Sequence, residues 1–378
     1  MAEKSEQRNY AIDVLRILFA FAVVFCHTSA FVTADTTLVN NNIMHASGWI
    51  GVHFFYIVSG MLMVVSFMKH EHDTTKAGRE ALDYVLKKFR GMAWWYWVSL
   101  ALGFTLYIWN LCMTDEIGFS DLFYAVLKDI PEALCISETG YSPIYINPTW
   151  YISAMLLVML PTYYLLVKNR QLLLYVLAPL TALFSLGFMY HQKNPLIPVY
   201  NKYINDIPNS IIRAVCGICF GIIAYNIYLH IYQRQIRTLP RILLTLCEAA
   251  IYALQIGAIF VYPDRYNAVF TCLILLPVAV AITFSGQSYI SLLFRGKIFR
   301  HAGTWSLAVY LNHAAAIKLT VMFFPGRDYK GSVYIMLMLT VVMCFVCYGS
   351  IRLLKLIWSK WLRRFFVAQQ TADTINDK

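Results

Sequence analysis

Ten apolar runs organise this chain and limit what it can fold into. They fall near residues 11–33, 47–68, 91–111, 150–167, 172–190, 208–231, 241–262, 267–285, 303–324 and 332–357. Each approaches the about 20 residues that a helix needs to cross the hydrocarbon layer of a bilayer. Backbone polar groups in lipid must be satisfied within the fold, and helices do this segment by segment. The reading is an all-α fold, a polytopic membrane helical bundle of about ten transmembrane helices. It forms a single integral membrane domain over residues 1–364, with a short polar cytoplasmic tail, read as disordered, over 365–378. With 59% hydrophobic and 13% charged residues in 378, no length remains for a large soluble domain. The fifth and ninth runs are the weakest, the fifth because Pro179 interrupts it and the ninth because His313 and Lys318 place polar groups inside it.

The positions of the basic residues test this segmentation independently. Lys128, Lys193, Lys202, Arg265, Arg327 and Lys330 fall in segments of one side, and Arg16, Arg213 and Lys318 fall within runs. Every other Lys and Arg of the 31 falls on the side of the N-terminus. An asymmetry that large predicts both termini in the cytoplasm and an even number of crossings. The same distribution explains a net charge of +11 without nucleic acid, because the charges sit between apolar runs rather than along one polar face. The first run carries Asp13 and Arg16 and has no small-residue cleavage site, so it is expected to persist as a helix rather than be removed as a signal peptide.

Most of the nine cysteines lie in apolar runs and read as small core residues, and no pair has a second ligand pair at zinc spacing, so no metal is expected. Cys112 and Cys135 share the outer segment 112–149, where a disulfide is open to them in an oxidising compartment. That segment, which carries several acidic side chains among aromatics and prolines, reads equally as a cap over an outward-facing cavity or as a solvated connection.

Ionisable groups inside the runs are the first candidates for function, because burying them in lipid is costly. Arg16 and His27 are eleven residues apart, which at 100° per residue returns them to within about 20° of one face and separates them by about 16 Å. Asp13 lies on the same side. A polar stripe thus crosses most of the first helix, although a single His in such a place is more often a satisfied core residue than a catalyst. His53 is placed at a depth comparable with His27, either joining it at one site or facing the outer solution. Gly51, Ser59 and Gly60 fit close helix approach and a hydrogen bond across the gap. Lys87 and Arg90 stand one turn apart before Trp94-Trp95-Tyr96-Trp97, either as a phosphate-binding pair or as an interfacial anchor. Arg213 and His313 are further intramembrane candidates, with packing roles equally open to them.

In order and spacing these segments resemble acyltransferase family 3, integral membrane enzymes that move acyl groups from coenzyme A to sugars of cell-surface glycans and other acceptors. The resemblance rests on Asp13, Arg16 and His27; on Gly51-Val52-His53-Phe54-Phe55 with Ser59-Gly60; on Lys87 and Arg90; on Trp150-Tyr151-Ile152-Ser153; and on Tyr310-Leu311-Asn312-His313. His53 stands where the family has an acidic residue, and Lys87 where Arg is more typical, which keeps the charge but loses the planar fork. The resemblance implies an acyltransferase with His27 as the catalytic base. Acetyl-CoA is then the expected acyl donor, held by Arg16, Lys87 and Arg90, and a saccharide or lipid-linked glycan is the acceptor. Asp13, His53, Ser59, Trp150, Arg213 and His313 are expected to support substrate. The lipid bilayer is the expected surroundings, a bacterial inner membrane the expected location, and nucleic acid is not an expected partner. The competing reading is a multi-span transporter or flippase using the same polar stripe as a pathway; a third is a lipid-recognising protein without chemistry.

Overall fold

A computed structural model describes residues 10–31, 48–114, 118–139, 148–191, 203–204, 207–232, 236–260, 266–294 and 296–376. Each of the ten predicted runs meets a helix. These are α1 (Tyr10–Cys26), α2 (Trp49–Phe67), α3 (Ala77–Thr114), α5 (Trp150–Lys168), the continuous pair α6 (Arg170–Leu172) and α7 (Ala178–His191), α8 (Asn209–Tyr232), α9 (Thr238–Phe260), α10 (Tyr266–Ser285), α12 (Ala302–Phe323) and α13 (Tyr329–Asn376). Shorter helices α4 (Phe119–Ala133) and α11 (Tyr289–Leu293) lie between them, and β1 (Tyr203–Ile204) pairs antiparallel with β2 (Ile207–Pro208) before α8. Among the described residues eight helices are long and apolar enough to cross a membrane. The protein is therefore an all-α polytopic membrane bundle. α1 has 17 residues, about 25 Å of helix, and a 3-10 turn over His27–Phe31 lengthens it.

α2 is the hub. It packs on α1, α5, α8 and α10, and all but three of its 19 residues are buried, so its apolar character on every side follows from its place. Two glycines make this possible. A methyl group on Gly51 would stand 2.7 Å from the Phe19 carbonyl of α1, and one on Gly60 would run into the backbone of Ile218 in α8. Backbones approach that closely only where no side chain intervenes.

The interruption predicted at Pro179 takes a specific form. Residues Leu173–Leu177 form a π turn that joins α6 to α7. A proline lacks an N–H and crowds the carbonyl four residues earlier, and a widened turn absorbs both. α13 departs from expectation at its other end, because its backbone continues as helix to Asn376 instead of ending near Arg364. No glycine or proline follows Gly349 to stop it.

The described part of the outer segment carries a helix of its own, α4. It packs back along α3, where Trp97 Nε1 donates to the Ala133 carbonyl at 3.1 Å and the Tyr96 hydroxyl donates to the Glu132 carbonyl. Phe123, Tyr124, Leu127 and Ile130 are exposed on one side of α4, while Asp129 and Glu132 are buried on the other. Cys112 is exposed, Cys135 is buried, and both thiols are free. Burial pushes the Cys135 thiol up to about 12, which leaves it protonated and unreactive at neutral pH.

Candidate active site

α1 stops being α-helical at His27, and the tighter turn that follows sets that imidazole. His27 Nδ1 lies 2.8 Å from the Val23 carbonyl. A carbonyl only accepts, so Nδ1 carries the hydrogen and Nε2 is left as the unprotonated nitrogen. The next residue, Thr28, shares a 2.8 Å hydrogen bond with the Tyr329 hydroxyl, which pins this turn to α13.

His313 of α12 faces His27 with ring centroids 4.9 Å apart. It repeats the arrangement, because Nδ1 donates to the Tyr310 carbonyl at 2.7 Å while its buried Nε2 has no partner among the described residues. Next to His313 in sequence, Asn312 ties α12 to α3 by accepting from Ser99 Oγ at 3.1 Å. Two imidazoles, each with its tautomer fixed by a main-chain carbonyl, therefore stand side by side at the junction of α1, α3 and α12.

Below the pair lies a layer of aromatic rings from three helices. Tyr310 is 5.4 Å from Tyr151 and 5.7 Å from Phe55, and Tyr151 is 4.7 Å from Tyr56, all between ring centroids. The Tyr151 hydroxyl is 3.5 Å from Ser59 Oγ, so Ser59 makes the cross-helix contact expected of it, from α2 to α5. Trp150-Tyr151-Ile152-Ser153 opens α5: Trp150 is buried, and Ser153 Oγ donates to the Cys135 carbonyl at 2.8 Å, joining α5 to the outer segment.

At the other end of α1, Arg16 Nη1 lies 3.6 Å from Asp13 Oδ1. Asp13 is buried over the first turn of α12, in contact with the space that a side chain at Gly303 would fill. A carboxylate there suits the positive end of a helix dipole, while Arg16 stays about a third exposed. On α3, Lys87 and Arg90 are exposed, whereas Lys88, one position along and about 100° round the helix, is turned inward to where it feels the charge of Arg16.

His53 does not face the outer solution: it is 1% exposed and lies against Trp49 and Tyr56, with ring centroids 5.9 and 6.5 Å away. Arg213 is likewise 1% exposed, and its guanidinium stacks near Trp49 at 5.9 Å and Trp150 at 5.5 Å. On the far side of the histidines, the buried Asp129 and Glu132 of α4 act on Lys318 of α12, which sits 5.4 Å over the Tyr107 ring. Thr149 holds Glu132 by a hydrogen bond. Lys88 was not singled out from the sequence, Tyr151 entered only within the Trp150–Ser153 motif, and Asp129 and Glu132 only among the acids of the outer segment. The first lies within a basic run whose facing cannot be read locally, and the last two read as ordinary loop acids until α4 folds back. Among the described residues no three His, Cys, Asp or Glu side chains gather as a metal site.

These features define a class: a multi-pass membrane protein with a histidine pair buried in its bundle. The chain belongs to acyltransferase family 3, whose model, described as an acyltransferase domain, matches residues 9–352, nearly the whole chain. No curated protein and no solved structure matches it. It is thus a membrane acyltransferase in general terms, in a lipid bilayer, with an acyl donor and an acceptor.

Proposed function

We propose that the protein moves an acyl group, most readily acetyl, from coenzyme A to a hydroxyl of a cell-surface or lipid-linked saccharide, with His27 as general base. The observation that carries this reading is the His27–Val23 hydrogen bond, which keeps Nε2 free to accept a proton, beside a second imidazole. In the reaction, His27 Nε2 takes the proton of the acceptor hydroxyl as its oxygen attacks the thioester carbonyl carbon. The carbon–sulfur bond then breaks, and the departing thiolate takes up that proton. His313, whose Nε2 is likewise left as an acceptor, is placed to accept a hydrogen bond from the acceptor hydroxyl beside His27.

Arg16 with Lys88 forms the donor's phosphate-binding end, and Lys87 and Arg90 extend it along the exposed face of α3. The charge pattern supports placing that end in the cytoplasm, with both termini, and the acceptor on the outer side of a bacterial inner membrane. The aromatic layer between the two ends suits a thin, uncharged arm. No contact among the described residues favours the transporter reading over this one. The test is release of free thiol from acetyl-CoA by purified protein supplied with mixed glycans. The reading predicts release in the wild type and its loss in His27→Ala; absence of donor binding and turnover in a well-folded preparation would overturn it.

A further inference from the structure

Arg213 is the largest fully buried side chain among the described residues. A guanidinium cannot shed its proton at any physiological pH, so its charge must be met inside the bundle. The groups that act on it most are the hydroxyls of Tyr56 and Tyr310 and the thiols of Cys26 and Cys216, and no described carboxylate is among them. Among the described residues its hydrogen bond from Nη2 to the Trp49 carbonyl is long at 3.4 Å, and its Nε has no partner. Two indole faces offset part of the burial cost, since cation–π contacts strengthen when desolvated, but they neutralise nothing.

His53 adds a second vacant position. Its Nε2 is buried without a partner among the described residues, and the Arg213 charge acts on it. Guanidinium, imidazole and two indoles thus form a box at the N-terminal ends of α2, α5 and α8, one side chain away from the histidine pair through Tyr310. A box of this kind matches a planar anion with two acceptor oxygens. An oxyanion formed during reaction faces the guanidinium only in passing, whereas a substrate carboxylate pairs with it for as long as the substrate is bound.

We propose that the Arg213–His53 box binds a carboxylate of the substrate, carried either by the acyl group of the donor or by an acidic sugar of the acceptor. The proposal rests on the acyltransfer reading above and names the substrate class of that site. It is tested by pairing acetyl-CoA and succinyl-CoA with neutral and uronate-containing oligosaccharides, for wild type, Arg213→Gln and His53→Asp. The second variant supplies the box with its own carboxylate and is the safer one to fold.

The wild type is expected to favour one carboxylated partner, and both variants to raise KM for that partner by about 30-fold or more relative to the neutral pairs. Preference between donors assigns the carboxylate to the acyl group, and preference between acceptors assigns it to the sugar. A wild type indifferent to carboxylates, or an Arg213→Gln that lowers kcat equally on every pair, overturns the proposal. Thermal protection of the wild type, but not of His53→Asp, by succinate or glucuronate over their neutral amides reads the same site without turnover. Its presence in a protein that releases no thiol would sink the acyltransfer reading and leave the box standing, and its absence there would sink both.

Discussion

At the scale of single residues, the account stands on which nitrogen of His27 holds the proton. His27→Ala removes the base while leaving Thr28 to pin the turn, so activity is expected to fall about 10²–10⁴-fold in kcat with the melting temperature nearly unchanged. Thiol release and a thermal melt on the same preparation check this. One helical position separates two further outcomes. Lys88→Met is expected to raise KM for the donor several-fold with kcat nearly kept, and Lys87→Met to change it far less, because only Lys88 is turned to Arg16. Equal effects would mean that the donor lies along the exposed face. The sequence supplied Asp13, Arg16 and His27 as one stripe because helical periodicity is local. It named Lys87 and Arg90 and passed over Lys88, since which of them 100° of rotation per residue turns inward is decided by what the helix packs against.

At the scale of elements, hydropathy was enough to place a helix at each of the ten apolar runs among the described residues, eight of them long enough to cross a membrane, because lipid leaves a backbone few alternatives. It missed α4, whose charges hide an amphipathic helix that becomes evident only when its acids are buried against α12 and α5. Burial pushes Asp129 up to about 6 from 3.8, against opposing influences from Glu132 and Lys318. The folded state therefore holds a proton that the unfolded state has lost between those two values, and stability falls as pH rises through that window. Asp129→Asn should flatten the dependence of melting temperature on pH between about 4 and 6, and an unchanged slope would show that α4 does not bury this acid.

The α2–α8 contact gives an independent test. Gly60→Ala drives a methyl group into the Ile218 backbone and should cost about 1–3 kcal/mol, seen as a lower melting temperature. Gly257→Ala on α9 meets nothing within 4 Å and should be neutral or slightly stabilising.

At the scale of the whole molecule, the proposed function would use a long bundle, with basic groups at one end and a histidine pair displaced toward the other, for chemistry between two compartments. Arg16 and His27 lie about 16 Å apart along α1, too far for one small substrate and suited to an extended one. Family and architecture followed from order and spacing along the chain. The contents of the site did not, because the Arg213 box and the acids of α4 join segments far apart in sequence.

The most direct test of this arrangement uses sealed proteoliposomes with labelled acetyl-CoA on the side of the N-terminus and a glycan acceptor on the other. The account predicts labelled glycan with the wild type and none with His27→Ala, in vesicles that stay impermeable to both substrates. Labelling that requires donor and acceptor in the same compartment, or that survives loss of His27, would contradict it.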